Sequence, residues 1–101
     1  MDALLRIVIY SEATRWCSCA LECDVQTSCQ TPQAALDTLV QIVETHAAAD
    51  IRMGREPLSG FRVTPQQIWN KFSTAARLKH PVELNRADSP GRLRFLVATL
   101  N

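Results

Sequence analysis

Four cysteines, two histidines and one close pair of carboxylates are the residues here whose types and spacing could do chemistry. Cys17, Cys19, Cys23 and Cys29 form the pattern C-x-C-x3-C-x5-C, which lacks the C-x2-C knuckles of structural zinc sites. Cysteine packs readily as a small hydrophobe. In a chain with no secretory signal the expectation is therefore four free thiols, with a metal site or a disulfide as the lesser alternatives. Glu22 and Asp24 stand two positions apart at the exit of a predicted strand, so they would share one face of a sheet. Such a pair can hold a divalent metal for phosphoryl chemistry, or can protect a sheet edge and face a partner. The second role is the expectation. His46 falls within a helical pattern and His80 at a helix end, where an imidazolium meets the helix dipole favourably. Neither stands in a recognisable nucleophile–base arrangement. Gly54, Gly60 and Gly91 fit no phosphate-cradling spacing. The residues thus predict no catalytic group, no resident metal and no cofactor.

Charge is unevenly placed along the 101 residues, although the whole chain carries only +1. Residues 1–50 hold two basic against seven acidic side chains, a net of −5, whereas residues 51–101 hold nine against three, a net of +6. Arg77, Lys79, Arg86, Arg92 and Arg94 could make a weak nucleic-acid surface in the basic half. No run of five like charges occurs, and no aromatic residues interleave with the basic ones as a single-strand platform requires. Two halves that pack on each other, or head-to-tail contacts between subunits, account for the asymmetry equally well.

The elements that must position these residues follow from periodicity. Leu4 to Ser11 reads as a strand, with Leu5, Ile7 and Ile9 on one face and Arg6, Val8 and Tyr10 on the other. A short polar connection leads to Trp16–Glu22, where Cys17, Cys19 and Leu21 alternate with Trp16, Ser18, Ala20 and Glu22. Val25 to Cys29 is a third short strand. Thr31 is a good N-cap and Pro32 suits the first helical position. Leu36, Leu39, Val40, Val43, Ala47 and Ile51 then form one apolar stripe, and Gly54 stops the helix. A second helix spans 64–79: Thr64-Pro65-Gln66-Gln67 supplies cap, proline and capping-box glutamine, and Ile68, Trp69, Phe72, Ala75 and Ala76 form the apolar side. Asn85–Gly91 is turn-like, and 92–100 is a terminal strand.

The order β-β-β-α-α-β predicts a single α+β domain over 1–101: a small antiparallel sheet packed on one long helix, with its core in 4–54. The other sheet face carries Tyr10, Trp16 and Leu96, which asks for the second helix or a second subunit, so a homodimer is expected. No apolar run approaches the roughly 18 residues of a membrane span, and Arg6 breaks the N-terminal one. The chain accordingly reads as cytoplasmic, with no membrane partner.

Val8-Ile9-Tyr10, the stretch Trp16-Cys17-Ser18-Cys19-Ala20-Leu21-Glu22-Cys23-Asp24-Val25, and Gln30-Thr31-Pro32-Gln33-Ala34-Ala35-Leu36 together resemble the HicB-like antitoxin family. Pro57-Leu58, then Pro65, Ile68-Trp69 and Phe72, look like the downstream part of a HicB-like subgroup. Two departures stand out. Ser28-Cys29-Gln30 occupies the stretch where the family usually has a glycine, and the chain ends without an obvious DNA-binding segment. The resemblance implies a truncated ribonuclease H-like three-stranded sheet with its helix and no nuclease activity. It also implies the task of binding a small basic toxin that cleaves mRNA. On that reading Glu22 and Asp24 are the candidate toxin-facing groups. The alternative is a nucleic-acid-binding module that uses the basic half.

Overall fold

The computed structural model describes residues 3–58, 64–85 and 89–100. Its elements are β1 (Ala3–Glu12), β2 (Arg15–Ala20), β3 (Val25–Cys29), α1 (Pro32–Arg52), α2 (Gln66–Leu78), β4 (Val82–Asn85) and β5 (Leu93–Leu100), with a 3-10 turn at Pro90–Arg92 before β5. They build a five-stranded sheet in the order β3-β2-β1-β5-β4, with α1 on one face and α2 on the other. The α+β class and the predicted order hold, with one strand added. The sheet is mixed rather than antiparallel: β1–β2–β3 is an antiparallel meander, but β5 pairs parallel to β1, from Ala3↔Leu93 to Tyr10↔Leu100. Two helices intervene between the meander and the C-terminal strands, which leaves β5 free to return in the direction of β1.

Alternation sorts the side chains as the sequence predicts. Leu5, Ile7, Ile9, Ala20, Leu93, Phe95 and Val97 meet Leu39, Val40, Val43 and Ala47 of α1. Phe95 is completely buried, worth about 2–3 kcal/mol relative to exposure. On the opposite face Val8, Tyr10, Cys19, Leu21 and Ala98 meet Phe72 and Ala75 of α2, with Ile68, Trp69 and Leu96 packed around them. Trp16 is the exception to the expectation. It lies opposite Ser11 and so shares the face of Ile9 and α1, not that of Tyr10 and Leu96. The second face is covered by α2 of the same chain, so Tyr10 and Leu96 need no second subunit to bury them.

Thr31 caps α1 as expected, its hydroxyl accepting from the Ala34 N–H at 3.1 Å with Pro32 in the first turn. Gly54, at φ +73, ends that helix where only a residue free of a Cβ sits without strain. Ile51, one turn beyond the buried Ala47, is 45% exposed, so the buried stripe of α1 ends before its last turn. The stretch Ser28-Cys29-Gln30 reaches Thr31 with no residue at positive φ, so the turn into α1 needs no glycine. Ser18, fully buried, satisfies its hydroxyl on the Ala35 carbonyl at 2.9 Å and on Thr27, pinning β2 and β3 to the first turn of α1.

Candidate functional site

The second β-turn of the meander brings the candidate carboxylates against the start of α2. β2 ends at Ala20, so Glu22 and Asp24 lie in the turn 21–24 and not on a strand as expected; Asp24 itself sits at φ +51. That left-handed backbone is one an aspartate tolerates better than most residues. Glu22 is held rather than free. Its carboxylate accepts from the Arg6 backbone N–H at 2.6 Å and from the Arg6 guanidinium at 2.7 Å, while the Leu21 N–H donates to the Arg6 carbonyl. Asp24 accepts from the Gln26 side-chain amide at 2.9 Å and lies 4.0 Å from the Cys19 sulfur.

Helix α2 is fastened to this turn and to the sheet by polar and cationic contacts as well as by its apolar side. Thr64 looks like an N-cap, yet α2 begins only after Pro65 and receives no side-chain cap. The buried Thr64 hydroxyl instead donates to the Leu21 carbonyl at 2.7 Å. The Arg6 guanidinium stands 5.7 Å from the centre of the Trp69 ring, and the Lys71 ammonium 4.8 Å from that of Tyr10. Each such contact is worth about 0.5–1 kcal/mol at a partly exposed site.

All four cysteines are free thiols, Cys19 and Cys23 buried and Cys17 and Cys29 half-buried. Cys19 lies on the α2 face and Cys23 on the α1 face. Burial pushes the Cys19 thiol up to about 12 and the Cys23 thiol up to about 11. Both are therefore neutral and poor nucleophiles at physiological pH. Burial, followed by the neighbouring Cys17 and Glu12, also raises the Tyr10 phenol. Among the described residues no three acidic, histidine or cysteine side chains converge as metal ligands would.

The described basic candidates fall on different elements. Arg77 and Lys79 are exposed at the C-terminal end of α2. Arg92 and Arg94 are exposed at the start of β5, where Arg94 pairs with Leu4. Arg94 also forms a 2.6 Å ion pair with Glu83, whose carboxyl is lowered first by that hydrogen bond and then by the Arg94 charge. Arg86 lies outside the described residues.

The feature that sequence reasoning missed is the Arg6–Glu22 and Thr64–Leu21 pair of ties, which join residues 16 and 43 positions apart. Their only sequence trace is a charged residue, Arg6, inside the otherwise apolar run Ala3–Tyr10. Among the described residues no helix is long and apolar enough to cross a membrane. Comparison of the chain with models of known protein families finds no match, and comparison with curated proteins and solved structures finds no significant one.

Proposed function

We propose that the protein is a non-enzymatic, HicB-like interaction protein that binds a small basic protein, an RNA-cleaving toxin being the class that the sequence resemblance implies. The observation that carries this reading is the spatial sorting of charge by the sheet order. The described residues 3–50, with two basic against six acidic side chains, build β1, β2, β3 and most of α1, and α1 packs on β2 and β3. The basic half builds α2, β4 and β5, and α2 lies over β5 and β1. The β3–β2 side of the sheet is thus built from the acidic half of the chain, and opposite charge would steer a basic partner onto it. The segment of the resemblance, Val8 to Leu39, supports the reading further, since it forms one continuous meander-and-helix unit joined through Ser18 and Ala35. Asp24 and the exposed Asp37 are the acidic groups best placed to meet the partner, because Glu22 is engaged by Arg6.

The test is capture from the native host with tagged protein. The expected result is a stoichiometric small basic protein that arrests growth when expressed alone, cleaves mRNA, and is neutralised on co-expression. Asp24→Asn keeps a residue that tolerates the left-handed turn, and Asp37→Asn touches only the surface of α1. Together they should slow association and weaken capture. Recovery of no basic protein, or capture indifferent to both changes, would reject this reading.

A further inference from the structure

The α2 side of the sheet is covered unevenly. Helix α2 lies over β5 and β1, while the β2–β3 end of that face carries Arg15, Cys17, Gln26 and Ser28. Ser28 is exposed, and its strand β3 is an edge strand with β2 as its one neighbour. Arg15 lies two residues before Cys17, the partner of Ser28 in register, so both side chains stand on this face. The Arg15 guanidinium donates through Nε to the Ser28 hydroxyl at 2.8 Å and through Nη2 to the Ser28 carbonyl at 2.9 Å. Glu12 is opposite Arg15 in the β1–β2 hairpin, yet no ion pair joins Arg15 to a described carboxylate. The exposed neighbours along the chain, Gln26 and Gln30, are uncharged. A fixed cation thus rests on an exposed hydroxyl, with no described anion paired to it.

We propose that Ser28 is a phosphorylation site whose phosphoryl group is received by Arg15. In the transfer the Ser28 Oγ bonds to the γ-phosphorus of a nucleoside triphosphate held by a separate kinase. The bond from that phosphorus to the departing nucleoside diphosphate breaks, and the hydroxyl proton passes to the kinase's base. The product carries about −1.5 to −2 charges at pH 7 and three acceptor oxygens. A guanidinium suits it, because its paired N–H donors match phosphate in a fixed plane, as an ammonium does not. The second bond, to the Ser28 carbonyl, holds that side chain in place before the phosphate arrives, so little rotamer freedom is left to lose. The other hydroxyls of this stretch are committed. Thr27 bonds Ser18 and the Ala35 carbonyl, and Thr31 caps α1. The new charge falls on the β3–β2 side, where it would strengthen the attraction for a basic partner. That consequence rests on the capture reading, whereas the modification itself does not.

Two measurements on the full chain test the proposal. The first is peptide mass spectrometry of the chain isolated from its native host, in growth and in starvation. Phosphate should be found on Ser28, and a Ser28→Ala chain should lack it. The second uses full chain carrying phosphate on Ser28, prepared with and without Arg15→Gln, a change at an exposed position that leaves the fold intact. The second phosphate ionisation is ordinarily at about pH 6. Phosphorus NMR should find it lower with Arg15 than with Arg15→Gln, by about threefold in acid constant, since a nearby cation favours the dianion. Protein unmodified at Ser28 in every condition overturns the proposal, and so does an ionisation that Arg15→Gln leaves unchanged. Neither measurement involves a captured protein, so failure here and failure of the capture reading are separate results.

Discussion

The Arg6 backbone N–H and the Arg6 guanidinium both end on the Glu22 carboxylate, at 2.6 and 2.7 Å, so one acidic side chain fixes the first half of β1 to the turn that follows β2. The same guanidinium faces Trp69 of α2. Glu22 is thereby a joint between sheet, turn and helix. Glu22→Gln should lower stability by about 1 kcal/mol, the scale of a charge-assisted hydrogen bond in a partly exposed pair. Glu22→Lys should cost more, because it sets a second cation beside Arg6. Urea denaturation of both variants checks the order. Equal stability of wild type and Glu22→Lys would mean that the contact contributes nothing.

Thr64 should matter more than a surface threonine. Its hydroxyl is buried and its hydrogen bond reaches the Leu21 carbonyl, which Thr64→Val would leave without that partner at nearly constant volume. The expected loss is about 1–3 kcal/mol, and Thr64→Ser should recover most of it. Amide exchange distinguishes a local effect from a global one. The first turn of α2 should lose protection in Thr64→Val before the β1–β5 ladder does.

The meander and α1 were legible in the sequence because each rests on a short-range rule. Two-residue alternation marks Leu5, Ile7 and Ile9, and a threonine–proline start marks Pro32. What escaped depends on long-range pairing. The face of Trp16 is set by its register against Ser11, which no single strand reveals. β4 is only four residues long, and Val-Glu-Leu-Asn alternates too briefly to stand out from the turn-like sequence 85–91 that it runs into. The parallel sense of β5 depends on where two helices release the chain. The candidate site was half legible. The acidic pair was visible, but its anchoring by Arg6 was not, since a salt bridge across 16 residues has no local signature.

The pairing of the basic residues predicts how weakly the chain should bind nucleic acid. Arg94 is already paired with Glu83, which leaves Arg77, Lys79 and Arg92 of the described candidates to neutralise phosphates. The logarithm of any binding constant for duplex DNA should then fall with the logarithm of salt at a slope of about −3. A slope of −4 or steeper, measured by fluorescence anisotropy, would show that the basic half acts as one surface and would favour the nucleic-acid reading.

The buried thiols predict an alkaline limit to stability. Burial holds Cys19 up to about 12 and Cys23 up to about 11, against an ordinary value of 9.0 in the unfolded chain. The folded state therefore keeps both protons to higher pH than the unfolded state. Their contribution is complete below the unfolded value and is lost as pH rises through the folded ones. In that window each thiol should remove about 1.4 kcal/mol per pH unit. Urea denaturation from pH about 8 to about 10.5 should show this decline, and Cys19→Ala should flatten it by one thiol's share. Reagent kinetics give an independent reading. At pH 8 a thiol held near 12 is ionised in roughly one molecule in ten thousand. The half-buried Cys17 and Cys29 should react first, with Cys19 and Cys23 reacting only as fast as the chain opens. Four thiols that react together in the native state, with stability flat across that pH range, would mean that α2 and the sheet do not seal Cys19 and that the face beneath the helix is open to solvent.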